Sequence, residues 1–216
     1  MKPISLFALL SVVSLSACSG LGILSQAAEP NDIYLLTPKS TFAASLPTLR
    51  QQLVVEEPTA TAAVDTDRIA IQPSPLEVQY LPESRWVDRA PRIVQALLIE
   101  SFENTGKVGA VGMSAVALRP DYLIVPDLRE FQAHVVDDGT EDGALDVRVR
   151  LNIKVVDAFD DRIIASSSFE EITRSQSDEM PGIAYAFDEA LGDAMRDAVE
   201  WTIRKIYGHS GSYPRS

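Results

Sequence analysis

Between Leu145 and Val155, apolar and polar residues alternate without a break: Leu145, Val147, Val149, Leu151, Ile153 and Val155 against Asp146, Arg148, Arg150, Asn152 and Lys154. Successive side chains of a strand point to opposite faces, so six apolar positions at period two make a strand with one buried and one wet face. Turn chemistry stands at both ends, Asp137-Asp138-Gly139 before it and Asp160-Asp161 after it. Phe131, Ala133 and Val135 alternate with Gln132 and His134 ahead of the first turn, and Ile163, Ala165 and Phe169 alternate with more polar neighbours behind the second. Three successive strands joined by short turns read as an antiparallel meander.

Two helices frame it. The first is expected to start at Asp88 as N-cap, with Pro91 tolerated in the first turn and Gly106 as its stop. Its apolar stripe is Ile93, Val94, Leu97, Leu98 and Phe102. The second is expected from near Asp178, with Pro181 early, to about Tyr207 before Gly208, with a stripe of Ala184, Phe187, Leu191, Ala194, Met195, Ala198 and Thr202. Many of those side chains are small, which lets the helix lie close to a sheet. Asp178 and Glu179 at its start and Arg204 and Lys205 at its end suit the helix dipole. Upstream, Ile33–Leu36, Leu53–Val55 and Ile69–Ile71 are candidate strands, whereas Glu57–Asp67 reads as a loop. The order of strands, helix, three strands and helix predicts an α+β domain over residues 32–207, a mostly antiparallel sheet with two helices packed on one face. Residues 208–216 read as a disordered tail.

The chain opens with Lys2, an apolar stretch from Ile4 to Val13, and then Leu15-Ser16-Ala17-Cys18. That stretch is too short to span a bilayer, which takes roughly 20 apolar residues. It suits a signal peptide over residues 1–17. Leu-Ser-Ala before a cysteine resembles the bacterial lipobox, in which the thiol takes up a diacylglyceryl group and the new amino terminus is usually acylated. The alternative is an ordinary secretory signal with a chance cysteine at its end. Cys18 is the only cysteine, so it has no intramolecular disulfide partner, and acylation accounts for it. One acyl chain anchors marginally at about 0.8 kcal/mol per buried CH₂, and two or three anchor firmly. Ser19, rather than aspartate, follows the cysteine, which resembles an outer-membrane address with the protein body on the periplasmic face. Residues 18–31 then form the lipidated cysteine and a small, polar tether.

Composition excludes several functions. The formal net charge is −12 with scattered basic residues, which leaves no footprint for nucleic acid. His134 falls on the polar side of a strand and His209 in the tail. No serine stands in a Gly-x-Ser-x-Gly setting, and with one cysteine, thiol catalysis and cysteine-based zinc sites are out. Gly106, Gly109 and Gly112 have the wrong spacing for a dinucleotide loop and follow a helix, so they read as a connector. The segment 137–143 is dense in oxygen donors for calcium, but its spacing is not that of an EF-hand and an acidic hairpin turn accounts for it. The pairs Glu56-Glu57, Asp160-Asp161 and Glu170-Glu171 invite two-carboxylate chemistry, yet neighbours in a strand face opposite ways. The expectation is a protein that is not an enzyme, with no cofactor and no metal.

With these elements in order, the chain resembles the ABC-type transport auxiliary lipoproteins. The resemblance rests on Ile33-Tyr34-Leu35-Leu36-Thr37-Pro38 soon after the cysteine, Arg68-Ile69-Ala70-Ile71-Gln72-Pro73, Gln79-Tyr80-Leu81 and Arg85-Trp86-Val87-Asp88 before the first helix, and a meander ending Ala165-Ser166-Ser167-Ser168-Phe169 before a long terminal helix. It spans Asp32 to Tyr207, although the Glu57–Asp67 loop is longer than the family pattern. It implies a lipid-anchored periplasmic component held in the outer membrane by acyl chains on Cys18. Its partners would be an ABC permease and ATPase and an MCE-domain substrate-binding protein that move phospholipid or other hydrophobic molecules. The family has no catalytic residues to carry over. A structural lipoprotein of another envelope assembly or secretion complex is the alternative; a periplasmic hydrolase would need a histidine or serine in a pocket. A homo-oligomer is left open. The candidate partner surface is Tyr80, Leu81, Trp86 and Val87, because aromatic residues near a loop are enriched at interfaces. The competing reading packs Trp86 on the sheet edge beside the first helix.

Overall fold

The computed structural model describes residues 31–114, 119–136 and 143–212. The alternating segment is the central strand of the meander, β8 (Leu145–Asp157), paired antiparallel with β7 (Tyr122–Val135) on one side and β9 (Arg162–Arg174) on the other. All six of its predicted apolar positions are buried. The segment 137–142, the bulk of the acidic turn, lies outside the described residues.

β7 is longer than its alternation predicts, because a bulge changes its parity. Leu128 lies opposite Leu151 and Glu130 opposite Arg150, which leaves Arg129 as the extra residue. Upstream of it Tyr122, Ile124 and Leu128 face the core; downstream Phe131 and Ala133 do. A bulge puts two residues against one and re-aims every side chain beyond it. Val135, expected inside, is 49% exposed at the strand end.

The far edge of β7 is served in turn by three parallel strands. β2 (Leu49–Val55) pairs at Tyr122–Ile124, β3 (Thr59–Ala60) at Asp127 and Leu128, and β4 (Arg68–Ser74) at Ala133 and His134. Pro126, which has no N–H to give, falls between the β2 and β3 pairings. β6 (Val108–Gly112) joins the outer edge of β2. β5 (Glu77–Trp86) folds back antiparallel on β4, and β1 (Asp32–Tyr34) closes that end parallel to β5. By paired length the nine-stranded sheet is mostly antiparallel, although mixed. Together with two helices it is an α+β fold, as expected.

Several local readings are corrected. The glycine run 106–112 is not a mere connector, since Val108–Gly112 is a strand. Gly106 does end the first helix, at a φ of 61°. The loop 57–67 contributes β3 and the buried Val64, and it is tied down by Trp86 N–H on Asp67 O at 2.7 Å and Ala90 N–H on Thr66 O at 3.0 Å. α1 (Ala90–Asn104) starts after Arg89, which occupies the N-cap without a side-chain cap, so Asp88 does not cap it. Arg89 instead pairs with Asp65 and, at 3.2 Å, with Glu57, closing the loop over the helix start. α2 (Met180–Ser212) has 33 residues, about 50 Å at 1.5 Å per residue, and runs through Gly208, so residues 208–212 are helix rather than tail.

Both predicted stripes are buried, and α2 adds Ile183, Ala186, Ala190, Val199, Ile203 and Ile206. At the middle of the core, the Trp86 ring lies 5.6 Å from Phe131 and 5.1 Å from Phe187, while Phe131 and Phe187 are 4.9 Å apart. These tilted and edge-on contacts join β5, β7 and α2 in one aromatic cluster.

Candidate functional site

Cys18 and the signal segment 1–17 lie outside the described residues. The four residues of the expected partner surface do not share one face. Trp86 is 1% exposed and belongs to the aromatic core, so it presents no ring to a partner. Leu81 packs against that core. Tyr80 is half-buried, with its hydroxyl donating to Ala63 O at 3.2 Å and the Arg68 guanidinium 3.6 Å above its ring. Val87 is exposed. Tyr80 to Trp86 is strand, with a bulge and a left-handed Glu83 (φ 54°) that re-aim the side chains, and Trp86 packs inward as the competing reading had it, in the core rather than at the sheet edge.

Two other features stand out. The first is an extended strap between β1 and β2 that runs along α2 and touches α1. Thr37 N–H donates to Asp188 at 2.6 Å, Lys39 Nζ to Asp193 at 2.7 Å, and Ala43 N–H to Glu200 at 2.7 Å, all three acceptors being on α2. Lys39 N–H also donates to Ser101 Oγ at 3.0 Å, and Asn104 donates to Lys39 O at 3.0 Å, which adds α1. Leu36 and Leu46 sink into the core at its ends. The stretch that follows β1 is thereby sewn to the body of the domain.

The second is a polar hollow of about 500 Å³ on the open face of the sheet. The wet positions of the alternating strand form its floor. Glu130 of β7 pairs with Arg150 and lies 3.6 Å from Arg148; Glu170 of β9 lies 3.7 Å from Arg148 Nε and 3.9 Å from Arg150 Nη1. Two arginines, two residues apart on one strand face, are thus held between two carboxylates. Residues 72–75 of the β4–β5 hairpin form a wall, tied by Gln132 donating to Gln72 Oε1 at 3.0 Å. Glu130 Oε2, His134 Nε2, Arg148 Nε and Arg150 Nε are buried with no hydrogen-bond partner among the described residues. Burial, and after it the charge of Arg148, holds His134 below its ordinary pKa, so it is neutral at pH 7. Glu170 and Glu171 face opposite ways as the pleat requires, the first into this ladder and the second toward Asp193 and Asp197 of α2. The hollow was unread in the sequence. Its only signal was the pairing of Arg148 and Arg150 on the wet side of the alternation.

His209, expected in a tail, sits near the end of α2 with Nδ1 2.9 Å from the hydroxyl of buried Tyr122. Among the described residues no group of three or more histidine, cysteine or carboxylate side chains is placed to hold a metal, and no helix is long and apolar enough to cross a membrane.

An α+β domain with a core on one side of its sheet, an open polar face and an N-terminal strap is the class of protein defined here. The chain belongs to the family of ABC-type transport auxiliary lipoprotein components, whose model matches residues 34–199. That is a transport-accessory family rather than an enzyme family, and its name implies association with an ABC transport system at the cell envelope. An uncharacterised protein of Bradyrhizobium diazoefficiens is 30% identical over 175 residues, which are 80% of this chain and 44% of that protein. This chain therefore spans less than half the length of that relative. The crystal structure of protein XCC0632 from Xanthomonas campestris, assigned to family DUF330, is 28% identical with a TM-score of 0.76, covering 83% of this chain and 99% of the other. A second solved structure, of an uncharacterised protein, shares the fold at 14% identity and a TM-score of 0.59, with 82% and 99% covered.

Proposed function

We propose that this chain is a lipid-anchored auxiliary component of an MCE-linked ABC transport system that moves phospholipid or another hydrophobic substrate across the envelope. In this reading acyl chains on Cys18 hold it in the outer membrane, the domain hangs on the periplasmic face, and it docks the MCE-domain protein or the permease and ATPase without performing chemistry itself.

The observation that carries the reading is the placement of the family match. It begins at residue 34, sixteen residues after a cysteine set behind Leu15-Ser16-Ala17. The strap supports it mechanically, because a load applied through the anchor meets β1 first, and the bonds of Thr37, Lys39 and Ala43 would hold the chain to the helices if β1 peeled from the sheet edge.

Cross-linking in intact cells tests this, with the partners identified by mass spectrometry and Cys18→Ser run in parallel. The reading expects an MCE-domain protein or an ABC permease among the partners, outer-membrane fractionation, and loss of both in Cys18→Ser. Recovery of secretion or outer-membrane assembly components alone would assign the chain to a different envelope machine.

A further inference from the structure

The floor of the hollow presents cations in a chain whose formal net charge is −12. Arg148 and Arg150 each keep 37% of the side chain exposed, whereas the carboxylate between β7 and β8, Glu130, keeps 15%. Glu170 is as exposed, at 39%, but it does not line the hollow, whose charged lining is Arg129, Arg148 and Arg150 against Glu130 alone. Arg129, paired to Asp127 at 2.9 Å, adds a third guanidinium at the edge.

Two guanidiniums clamped between Glu130 and Glu170 have little freedom to swing, so their orientation is fixed before any ligand arrives. A guanidinium carries five N–H donors, and the two carboxylates do not consume them all; the Nε–H groups are buried, so the exposed 37% of each side chain lies elsewhere on it. Planar, preset forks of this kind recognise oxyanions by paired, charge-assisted hydrogen bonds. The wall beside them mixes Gln72 and Ser74 with Pro73 and Pro75 and ends in an apolar tip. The β4–β5 hairpin turns at Pro75-Leu76, where Leu76 is fully exposed, and Val78 beyond it is 41% exposed. A bare anion makes no use of such a tip, but a phosphate attached to an apolar group does.

We propose that this hollow is a binding site for a phosphate-type oxyanion held by Arg148 and Arg150, with the Leu76 hairpin tip lying against the apolar group of a phospholipid when that is the source. The site stands on this geometry alone and does not depend on which envelope machine the chain serves.

The test is isothermal titration of the full chain in dodecylmaltoside, corrected against empty micelles. The probes are dihexanoyl phosphatidylglycerol, inorganic phosphate, and dihexanoylglycerol, which has the chains but no phosphate. Saturable binding of the first two is expected, weakened by roughly tenfold or more in Arg148→Gln/Arg150→Gln. Leu76→Ser, a change at a fully exposed position, weakens the phosphatidylglycerol alone if the natural source is a lipid. If Leu76→Ser changes nothing and free phosphate binds equally well, the oxyanion site stands and the source is the free ion. Should the double glutamine variant fail to fold, Arg148→Lys/Arg150→Lys keeps the charge, removes the forks, and is still expected to weaken both phosphates. Wild-type affinity in the variants, absence of saturable binding, or equal binding of dihexanoylglycerol overturns the proposal.

Discussion

Thr37 donates twice to the carboxylate of Asp188, from its backbone N–H at 2.6 Å and from its hydroxyl at 2.9 Å, across 151 residues of chain. This contact begins the row continued by Lys39 on Asp193 and Ala43 on Glu200, so the strap follows the axis of α2. Each hydrogen bond to a charged acceptor is worth about 1.5–3 kcal/mol when sheltered and less when solvent competes.

Asp188→Ala is expected to cost about 1 kcal/mol of stability. Its larger effect is local. The amides of the strap should lose hydrogen-exchange protection while those of β8 keep theirs. Uniform loss across the sheet would mean that the strap is part of the global core rather than a separate fastening.

Asp193 and Glu171 respond to pH in opposite senses. The hydrogen bond from Lys39 is the main cause that holds Asp193 below the ordinary carboxylate value, and burial works against it. A depressed folded pKa gives stability that is present above the unfolded value and lost as pH falls through the folded one. Asp193→Asn should therefore cost up to about 1 kcal/mol at pH 7 and close to nothing near pH 2, measured by urea melts.

Glu171 is raised, first by burial and then by Asp197 and Asp193, against the pull of Arg196. Its folded form takes a proton more readily than its unfolded form, so a penalty grows as pH rises from the unfolded value through the folded one. Glu171→Gln should leave stability unchanged in strong acid and raise it by a few tenths of a kcal/mol at pH 7, because solvent screens the half-exposed group. A loss at pH 7 would show that the attraction of Arg196 outweighs the two aspartates.

Trp86 and Val87 are adjacent in sequence and opposite in role. Trp86→Ala removes the ring from between Phe131 and Phe187 and should cost about 3–5 kcal/mol. Val87→Ser, at a position 55% exposed, should stay within about 0.5 kcal/mol. Equal small effects in thermal melts would contradict the packed aromatic cluster.

The legible parts of the fold are those where one periodicity runs unbroken. β8 could be read because its six apolar positions never change face, and α1 and α2 because their stripes keep the helical period. Where backbone irregularity resets the phase, reading stopped. Arg129 shifts β7 from even to odd positions inside, which hid its first half; the bulge and left-handed Glu83 interrupt β5 in the same way and hid it as a strand. Short parallel strands such as β3 and β6 carry too few residues to show a period. The hollow was invisible for another reason: it joins Arg148 to Gln72, and that neighbourhood exists only through the pairing of β4 with β7.

The bulge itself can be tested by deletion. Without Arg129 the register of β7 on β8 puts either Leu128 or Phe131 on the wet face, since a one-residue slip exchanges the two faces. The deletion is expected to abolish cooperative unfolding, whereas Arg129→Ala keeps the extra residue and should be mild. A folded deletion variant would mean that the bulge migrates freely along the strand.

The most direct measurement is a mild-detergent pull-down of the tagged, mature chain from its own envelope, with mass spectrometry of what remains bound. Stoichiometric recovery of an MCE-domain protein, an ABC permease or its ATPase is the predicted result. Recovery of none of these, with secretion or outer-membrane assembly components in their place, would contradict the account.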